Sequence, residues 1–328
     1  MAEDNKRLDL AQRVAARLRA ASSGAAPEEL ITNTPPAERS ALLAPADEPA
    51  QTRSAAPWPP ASPSPKPARP PMPAADPNDP KYLFLDQRKL FSEGYVVVDG
   101  ASNRVAEEFR AIKRPLLLNA FPRSGKTDPK SHVIMITSAH PGEGKTFTAI
   151  NLSLSIASEP DLNVLLIDTD SHNQDMEHRL GIGDRPGMLD LLADPTMQIS
   201  EVILRTSIPN FSIIPCGSRH AMETELVASQ RMAELVDDIA KRYSDRVIIF
   251  DTVPALASSV AGVLALHAGQ VVIVVEAGVT HQQAVEETVA LVSGCKSISL
   301  MLNKSEEPDS SYGYHGYYGK YEKPAKVH

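Results

Sequence analysis

The chain has 328 residues and a formal net charge of −8, from 41 acidic and 33 basic side chains. That balance excludes a protein that grips nucleic acid through overall charge, and the length allows one large or two modest domains. Two cysteines, Cys216 and Cys295, are too few for a disulfide scaffold and fit a reducing compartment.

Residues 5–20 place Leu10, Val14 and Leu18, with Ala11 and Ala15, on one stripe among basic residues, which predicts a short amphipathic helix within residues 1–24. A helix this short is marginal alone and calls for a partner surface. The opening MAEDNKRLDL has no apolar core and no small-residue cleavage site, so no export signal is expected. Residues 25–80 hold 16 of the 28 prolines. Proline at that density removes backbone donors and forbids continuous helix or central strand. A disordered Pro/Ala-rich linker is expected, with an r.m.s. span of about 40 Å.

Residues 81–130 read as an N-terminal extension with a helix-like run at 104–119. Residues 131–304 then alternate: strands are expected at 132–137, 163–168, 211–217, 246–251, 270–278 and 297–303, and helices at 145–157, 224–243, 258–266 and 280–292. Strands that are apolar throughout, separated by helices, imply an α/β fold whose mostly parallel sheet is covered on both faces. The most apolar stretch, 247–275, is broken by Asp251, Pro254, His267 and Gln270, so no membrane span is expected and the chain reads as cytoplasmic.

Ligands of such sheets sit at the carboxyl ends of the strands. After the first main strand comes Ala139-His-Pro-Gly-Glu-Gly-Lys-Thr146, a phosphate loop with Ala139 in place of the usual first glycine. Gly142, Glu143, Gly144, Lys145, Thr146 and Phe147 are the expected nucleotide-binding residues, with backbone N–H groups wrapping the polyphosphate at a helix N-terminus. Lys145 would neutralise the β and γ phosphates, and the Thr146 hydroxyl would ligate Mg²⁺. Asp168 and Asp170 close the second strand and Asp251 the fourth. Three acids facing one phosphate loop repel one another unless a cation sits among them, a need that ATP with Mg²⁺ meets. Thr146, Asp168 and Asp251 are therefore the expected metal-holding groups. Asp168 and Asp170, two apart on a fraying strand, can both point at the nucleotide; alternatively, Asp170 caps a helix.

The tail, 305–328, carries Tyr312, Tyr314, Tyr317, Tyr318 and Tyr321, five of the chain's eight tyrosines, within a stretch, 310–323, that has glycines between them and no aliphatic residues. Such phenols are accessible. With a pKa near 10, a phenol needs a carboxylate beside it to act as a nucleophile at neutral pH, and Asp170 is the candidate base. Lys145, Asp168 and Asp170 are the expected catalytic set.

The motifs SAHPGEGKT, VLLIDTDSHNQ and VIIFDTVP together resemble the bacterial tyrosine kinases built on a P-loop ATPase fold. EEFRAIKRPLL within 104–119 further resembles the exosortase-associated tyrosine autokinases of exopolysaccharide loci. The resemblance covers about residues 83–303 and the tail. It implies MgATP-dependent autophosphorylation in trans and a homo-oligomeric ring in which each tail enters a neighbour's site. It also implies a transmembrane polysaccharide chain-length regulator as partner, holding the chain at the inner face of the membrane. The family's E-x-x-R-x-x-R ring motif is matched by Glu107, Arg110 and Lys113, lysine lacking the arginine fork. Ser171, His172 and Asn173 stand where the family has a basic residue. Two other readings stay open. One is a partitioning or positioning ATPase switch, although such proteins carry a lysine near the loop's start, where this chain has Ser138, Ala139 and His140. The other is a scaffold whose nucleotide only sets assembly.

Overall fold

The computed structural model describes residues 76–98, 104–122, 128–171, 174–243 and 245–305. The expected N-terminal helix, the linker up to residue 75, His172, Asn173 and the five tail tyrosines lie outside the described residues. The elements run β1 (Tyr82–Leu83), α1 (Gln87–Ser92), α2 (Arg104–Ala120), β2 (Val133–Ser138), α3 (Lys145–Ala157), β3 (Asn163–Asp168), α4 (Asp175–Leu180), α5 (Met188–Ala193) and α6 (Ile199–Val202). They continue with β4 (Leu204–Thr206), β5 (Phe211–Ile214), α7 (Glu223–Val227), α8 (Gln230–Arg242), β6 (Arg246–Asp251), α9 (Val260–Ala265), β7 (Gln270–Glu276), α10 (Gln282–Leu291) and β8 (Ile298–Asn303).

The strands form one eight-stranded sheet in the order β1-β4-β5-β3-β6-β2-β7-β8. From β5 to β8 every pairing is parallel, as the continuous apolar strands predict. At the other edge β4 runs antiparallel to β5, and β1 lies parallel to β4. Side chains alternate across a strand, so each apolar run feeds two cores. Ile134, Ile136, Val164, Leu166, Val247 and Ile249 pack on the face that holds α2 and α3. Val133, Met135, Leu165, Ile167, Ile248 and Phe250 pack on the opposite face with α5, α8 and α9.

Helix α3 is sandwiched between the sheet and α2, and every residue but Phe147 is buried. Its polar side chains turn back on the helix: the Ser153 hydroxyl donates to the Ala149 carbonyl at 2.7 Å and the Asn151 amide to the Phe147 carbonyl at 3.0 Å. Burial on both sides fixes the helix whose first turn carries Lys145 and Thr146.

The N-terminal extension is built into this fold rather than hung from it. Leu83, Leu85, Leu90, Tyr95 and Val96 join the core, and the Val96 N–H donates to Asn151 Oδ1 at 2.7 Å. The Tyr95 ring is sealed against Phe147 with centroids 5.1 Å apart, and its phenol oxygen accepts from Arg179 at 3.0 Å. The helix expected over 224–243 is broken in two, because Ser229 adopts an extended conformation and its hydroxyl caps α8 by accepting the Met232 N–H at 3.2 Å.

Where β5 leaves the sheet, two backbones meet. A Cβ on Gly187 would lie 2.1 Å from the Pro215 carbonyl oxygen. Gly217 has φ +90°, and a Cβ there would lie 2.2 Å from Asp190 Oδ2 and 2.6 Å from the Gly187 nitrogen. The Asp190 carboxylate closes the junction by accepting N–H groups from Gly187 at 2.8 Å and Ser218 at 3.0 Å. Gly217→Ala meets both a forbidden dihedral and a backbone clash, and its expected cost is about 3 kcal/mol. Calorimetry should show the melting temperature falling by about 6–12 °C.

Candidate nucleotide site at the carboxyl edge of the sheet

Neighbouring strands β2, β6 and β3 deliver the site residues to one edge. β2 ends in the phosphate loop, β6 in Asp251 and β3 in Asp168, with Asp168 directly across from Asp251 in the ladder. The loop is braced from within. The Ser138 hydroxyl donates to the His140 carbonyl at 2.8 Å, and the Glu143 carboxylate accepts the His140 N–H at 3.0 Å and the Thr280 hydroxyl. Gly142 and Gly144 take the left-handed conformation, with φ +85° and +100°, that glycine reaches without strain. The expected site residues Glu143 and Phe147 therefore use their side chains for packing, Glu143 inside the loop and Phe147 against Tyr95.

Lys145 and Thr146 open α3 and are buried. The Lys145 ammonium pairs with Asp170, and its Nζ lies 3.5 Å from the Thr146 hydroxyl. Burial alone would lower the lysine's pKa; the charges of Asp251, Asp170 and Asp168 outweigh it and hold the ammonium above its ordinary value. Asp251 is pushed up to about 6, chiefly by burial, with Asp170 adding to the rise and Lys145 opposing it. Asp168 is raised well above the carboxylate range by burial and by the charges of Asp251 and Glu177.

Asp168 and Asp170 converge for a different reason than strand alternation. β3 stops at Asp168, and the Asp170 N–H donates back to Asp168 Oδ1 at 2.8 Å. This turn swings the Asp170 carboxylate onto Lys145. Asp170 is not a helix cap, since the N-cap of α4 is Gln174. Ser171 donates its hydroxyl to Glu223.

Both carboxylate oxygens of Asp251 are buried without a hydrogen-bond partner. Two hard, desolvated oxygens beside a buried threonine hydroxyl are donors suited to a Mg²⁺ ion. No cluster of three or more His, Cys, Asp or Glu among the described residues holds a metal by itself. A divalent cation here needs further oxygens, which a bound polyphosphate carries. The residues present fit a magnesium–nucleotide complex.

A second set of residues, which no local spacing in the sequence reveals, ties the loop to the far end of the domain. The Asn303 amide donates to the Glu143 carbonyl at 2.8 Å, and its nitrogen lies 2.1 Å from where a Cβ on Gly144 would be. The Lys304 ammonium donates to the Gly142 carbonyl at 2.8 Å and to Glu276 at 3.0 Å. The only local hint in the sequence is a polar Asn-Lys pair closing an apolar strand.

On α2, Glu107 and Arg110 are exposed and pair with each other. Lys113, expected to share their outer surface, turns inward instead. Its ammonium donates to the Ser155 carbonyl at 2.6 Å and pairs with Glu159 at 2.6 Å, serving as a cap at the C-terminal end of α3. The third position of the expected ring motif is thus engaged within the chain.

A phosphate loop between a central parallel strand and a buried helix, faced by acids on the two adjoining strand ends, defines a P-loop nucleotide-binding domain. Residues 131–305 match the family described as an AAA domain. The solved kinase domain of VpsO is 32% identical with a TM-score of 0.53, over 62% of this chain and 97% of that one. The tyrosine-protein kinase Wzc of Salmonella typhimurium is 31% identical over 191 residues, 58% of this chain but 26% of Wzc. The tyrosine-protein kinase CpsD of Streptococcus agalactiae is 29% identical over 228 residues, 69% of this chain and 94% of CpsD. The chain belongs to the bacterial tyrosine kinase family.

Proposed function

We propose that this chain is a MgATP-dependent protein-tyrosine kinase that phosphorylates the C-terminal tyrosines of another copy of itself. The observation that carries the reading is the buried Lys145–Asp170 pair beside the unpartnered Asp251 carboxylate. MgATP, when bound, supplies the transferable phosphoryl group. Phosphate oxygens at the loop compete for the Lys145 ammonium, and Asp170, released from that pairing, becomes available as a base. Asp170 then takes the phenol proton while the phenol oxygen bonds to phosphorus and the bond to the ADP oxygen breaks. Lys145 would stay with the phosphates, and Asp251, Asp168 and Thr146 would hold the metal.

The tail tyrosines, Tyr312, Tyr314, Tyr317, Tyr318 and Tyr321, are the acceptors. Each phosphate brings about −1.5 to −2 charges and repels neighbouring tails. A ring built on α2 uses the Glu107 and Arg110 surface, with Lys113 acting from inside. By the family resemblance, the chain works at the inner face of the membrane through a transmembrane chain-length regulator of exopolysaccharide export, as the exosortase-associated autokinases do. Residues 1–24 would be the contact and 25–80 the tether, ahead of the extension (81–130), the kinase domain (131–304) and the tail (305–328). No helix among the described residues is long and apolar enough to cross a membrane.

Incubation with radiolabelled ATP tests the proposal. Wild-type protein should gain label on tyrosine and shift to smaller assemblies in light scattering. Replacement of all five tail tyrosines by phenylalanine should remove at least about nine-tenths of the label and abolish the shift. Phosphate release without protein labelling would sink the kinase reading in favour of an ATPase switch.

A further inference from the structure

A peptide unit is flat and trans, so its carbonyl and its N–H point in opposite directions. Fixing a carbonyl therefore fixes the N–H of the next residue. In the phosphate loop two successive peptides are held this way from outside. The Gly142 carbonyl accepts from the Lys304 ammonium at 2.8 Å, which turns the Glu143 N–H away from Lys304. The Glu143 carbonyl accepts from the Asn303 amide at 2.8 Å, which turns the Gly144 N–H away from Asn303. Among the described residues neither of these N–H groups meets an acceptor.

The close approach is built into both partners. Gly144 has φ +100° and bears no side chain where the Asn303 amide lies, 2.1 Å from the place of a Cβ. Lys304 has φ +55°, a left-handed conformation that residues with a side chain seldom adopt. Backbone held in such a conformation points to a task for the residue. Glu276 steadies the ammonium at 3.0 Å; the Glu276 N–H donates to the Thr280 hydroxyl at 3.0 Å, and that hydroxyl donates to the Glu143 carboxylate. The Ala277 N–H donates to the Asn303 carbonyl at 2.9 Å, joining the ends of β7 and β8. In the sheet order these two strands flank β2 on one side, while β6 and β3, with their acids, flank it on the other. The loop is gripped from the side opposite the acids.

Resting on the nucleotide-binding reading above, we infer that Asn303 and Lys304 are positioning residues that aim the Glu143 and Gly144 N–H groups at the polyphosphate of a bound nucleotide. Each residue acts on one N–H without touching phosphate itself. Lys304 works through the Gly142 carbonyl, and Asn303 works through the Glu143 carbonyl. A peptide free to flip would present its carbonyl oxygen, and so its negative end, to the phosphates. Holding both carbonyls outward prevents this and meets the cost of ordering the loop before the ligand arrives.

The test reads each N–H separately. Full-length isotope-labelled protein is titrated with MgADP, and the amide proton resonances of Glu143 and Gly144 are followed by NMR. An amide proton that bonds to a phosphate oxygen moves downfield, and both should do so in the wild type. Lys304→Met, at an exposed side chain, should lose the Glu143 shift and keep the Gly144 shift. Asn303→Leu keeps the shape without the donor and should do the reverse. Each variant should bind MgADP about tenfold more weakly. Lys304→Arg retains a donor, so it should recover the Glu143 shift and bind within about threefold of wild type. Weaker binding with both shifts intact would overturn the inference, because loss of a nearby charge does that without turning a peptide. Unchanged affinity in Lys304→Met would overturn it as well. If Asn303→Leu does not fold, the two Lys304 variants decide the matter alone. Wild-type protein that binds no MgADP defeats the nucleotide reading itself, a result distinct from failure of these two residues.

Discussion

Asp251→Asn should give a protein more stable than the wild type at neutral pH and nearly unable to transfer phosphate. The carboxyl is raised from an ordinary value of 3.8 to about 6 in the folded chain, mainly by burial. Between about pH 4 and 6 the folded state therefore binds more protons than the unfolded state, and stability falls as pH rises through that window. Above it the full penalty stands, about 3 kcal/mol by the size of the shift. Asparagine keeps the shape and removes the charge. It also relieves Asp168, for which Asp251 is the largest charged neighbour acting to raise its pKa. Without nucleotide, the variant should melt about 6–12 °C higher than wild type at pH 7.5, and the gap should close near pH 4. Equal melting temperatures at pH 7.5 would refute this account. Labelling should fall about 10²- to 10³-fold, because charge at the metal is lost where the transition state needs it. Such a site gives up stability to keep a binding charge.

Lys145→Met should act with the opposite sign. The ammonium is the cation paired with Asp170 and the charge that restrains the pKa of Asp251. Its folded pKa is raised, so its contribution is fully present below the unfolded value of about 10.4 and is lost only as pH rises through the higher folded value. At pH 7.5, removing it leaves buried carboxylates unpaired at a cost of about 3–5 kcal/mol. The loss should shrink in acid as the carboxylates take up protons. Nucleotide affinity should drop about 100-fold and tyrosine labelling should disappear. The double variant Lys145→Met, Asp251→Asn supplies the cross-check: it should regain much of the stability and none of the labelling. Strict additivity of the two stability changes would show that the residues do not share one electrostatic site.

The parallel core was legible because a strand such as Val133–Ser138, four successive apolar residues followed by Thr137 and Ser138 and buried along its whole length, leaves little choice but a covered strand. The loop and its three acids were legible for a related reason, since strand ends point ligands to one edge. The β1–β4 edge was not. β1 is two residues long and β4 three, too short for any period to show, and they pair across 123 positions (Tyr82 with Arg205). The short helices α4 and α5 were hidden by the Gly-Ile-Gly-Asp-Arg-Pro-Gly run of 181–187, whose turn residues mask the turns of helix on either side of it. Lys113 shows a different limit: motif spacing fixes which face of a helix a residue occupies, while tertiary packing decides where a long side chain carries its charge.

The last described residues give the phosphate loop an unusual property. Asn303 and Lys304 hold the carbonyls of Glu143 and Gly142, and the tyrosine-bearing tail begins at the next residue. The segment proposed as substrate and the phosphate loop of one chain thus share an anchor in Asn303 and Lys304. On the proposed transfer between copies, a neighbour drawing on the tail would load these two hydrogen bonds, and with them the phosphate loop of the chain that lends it.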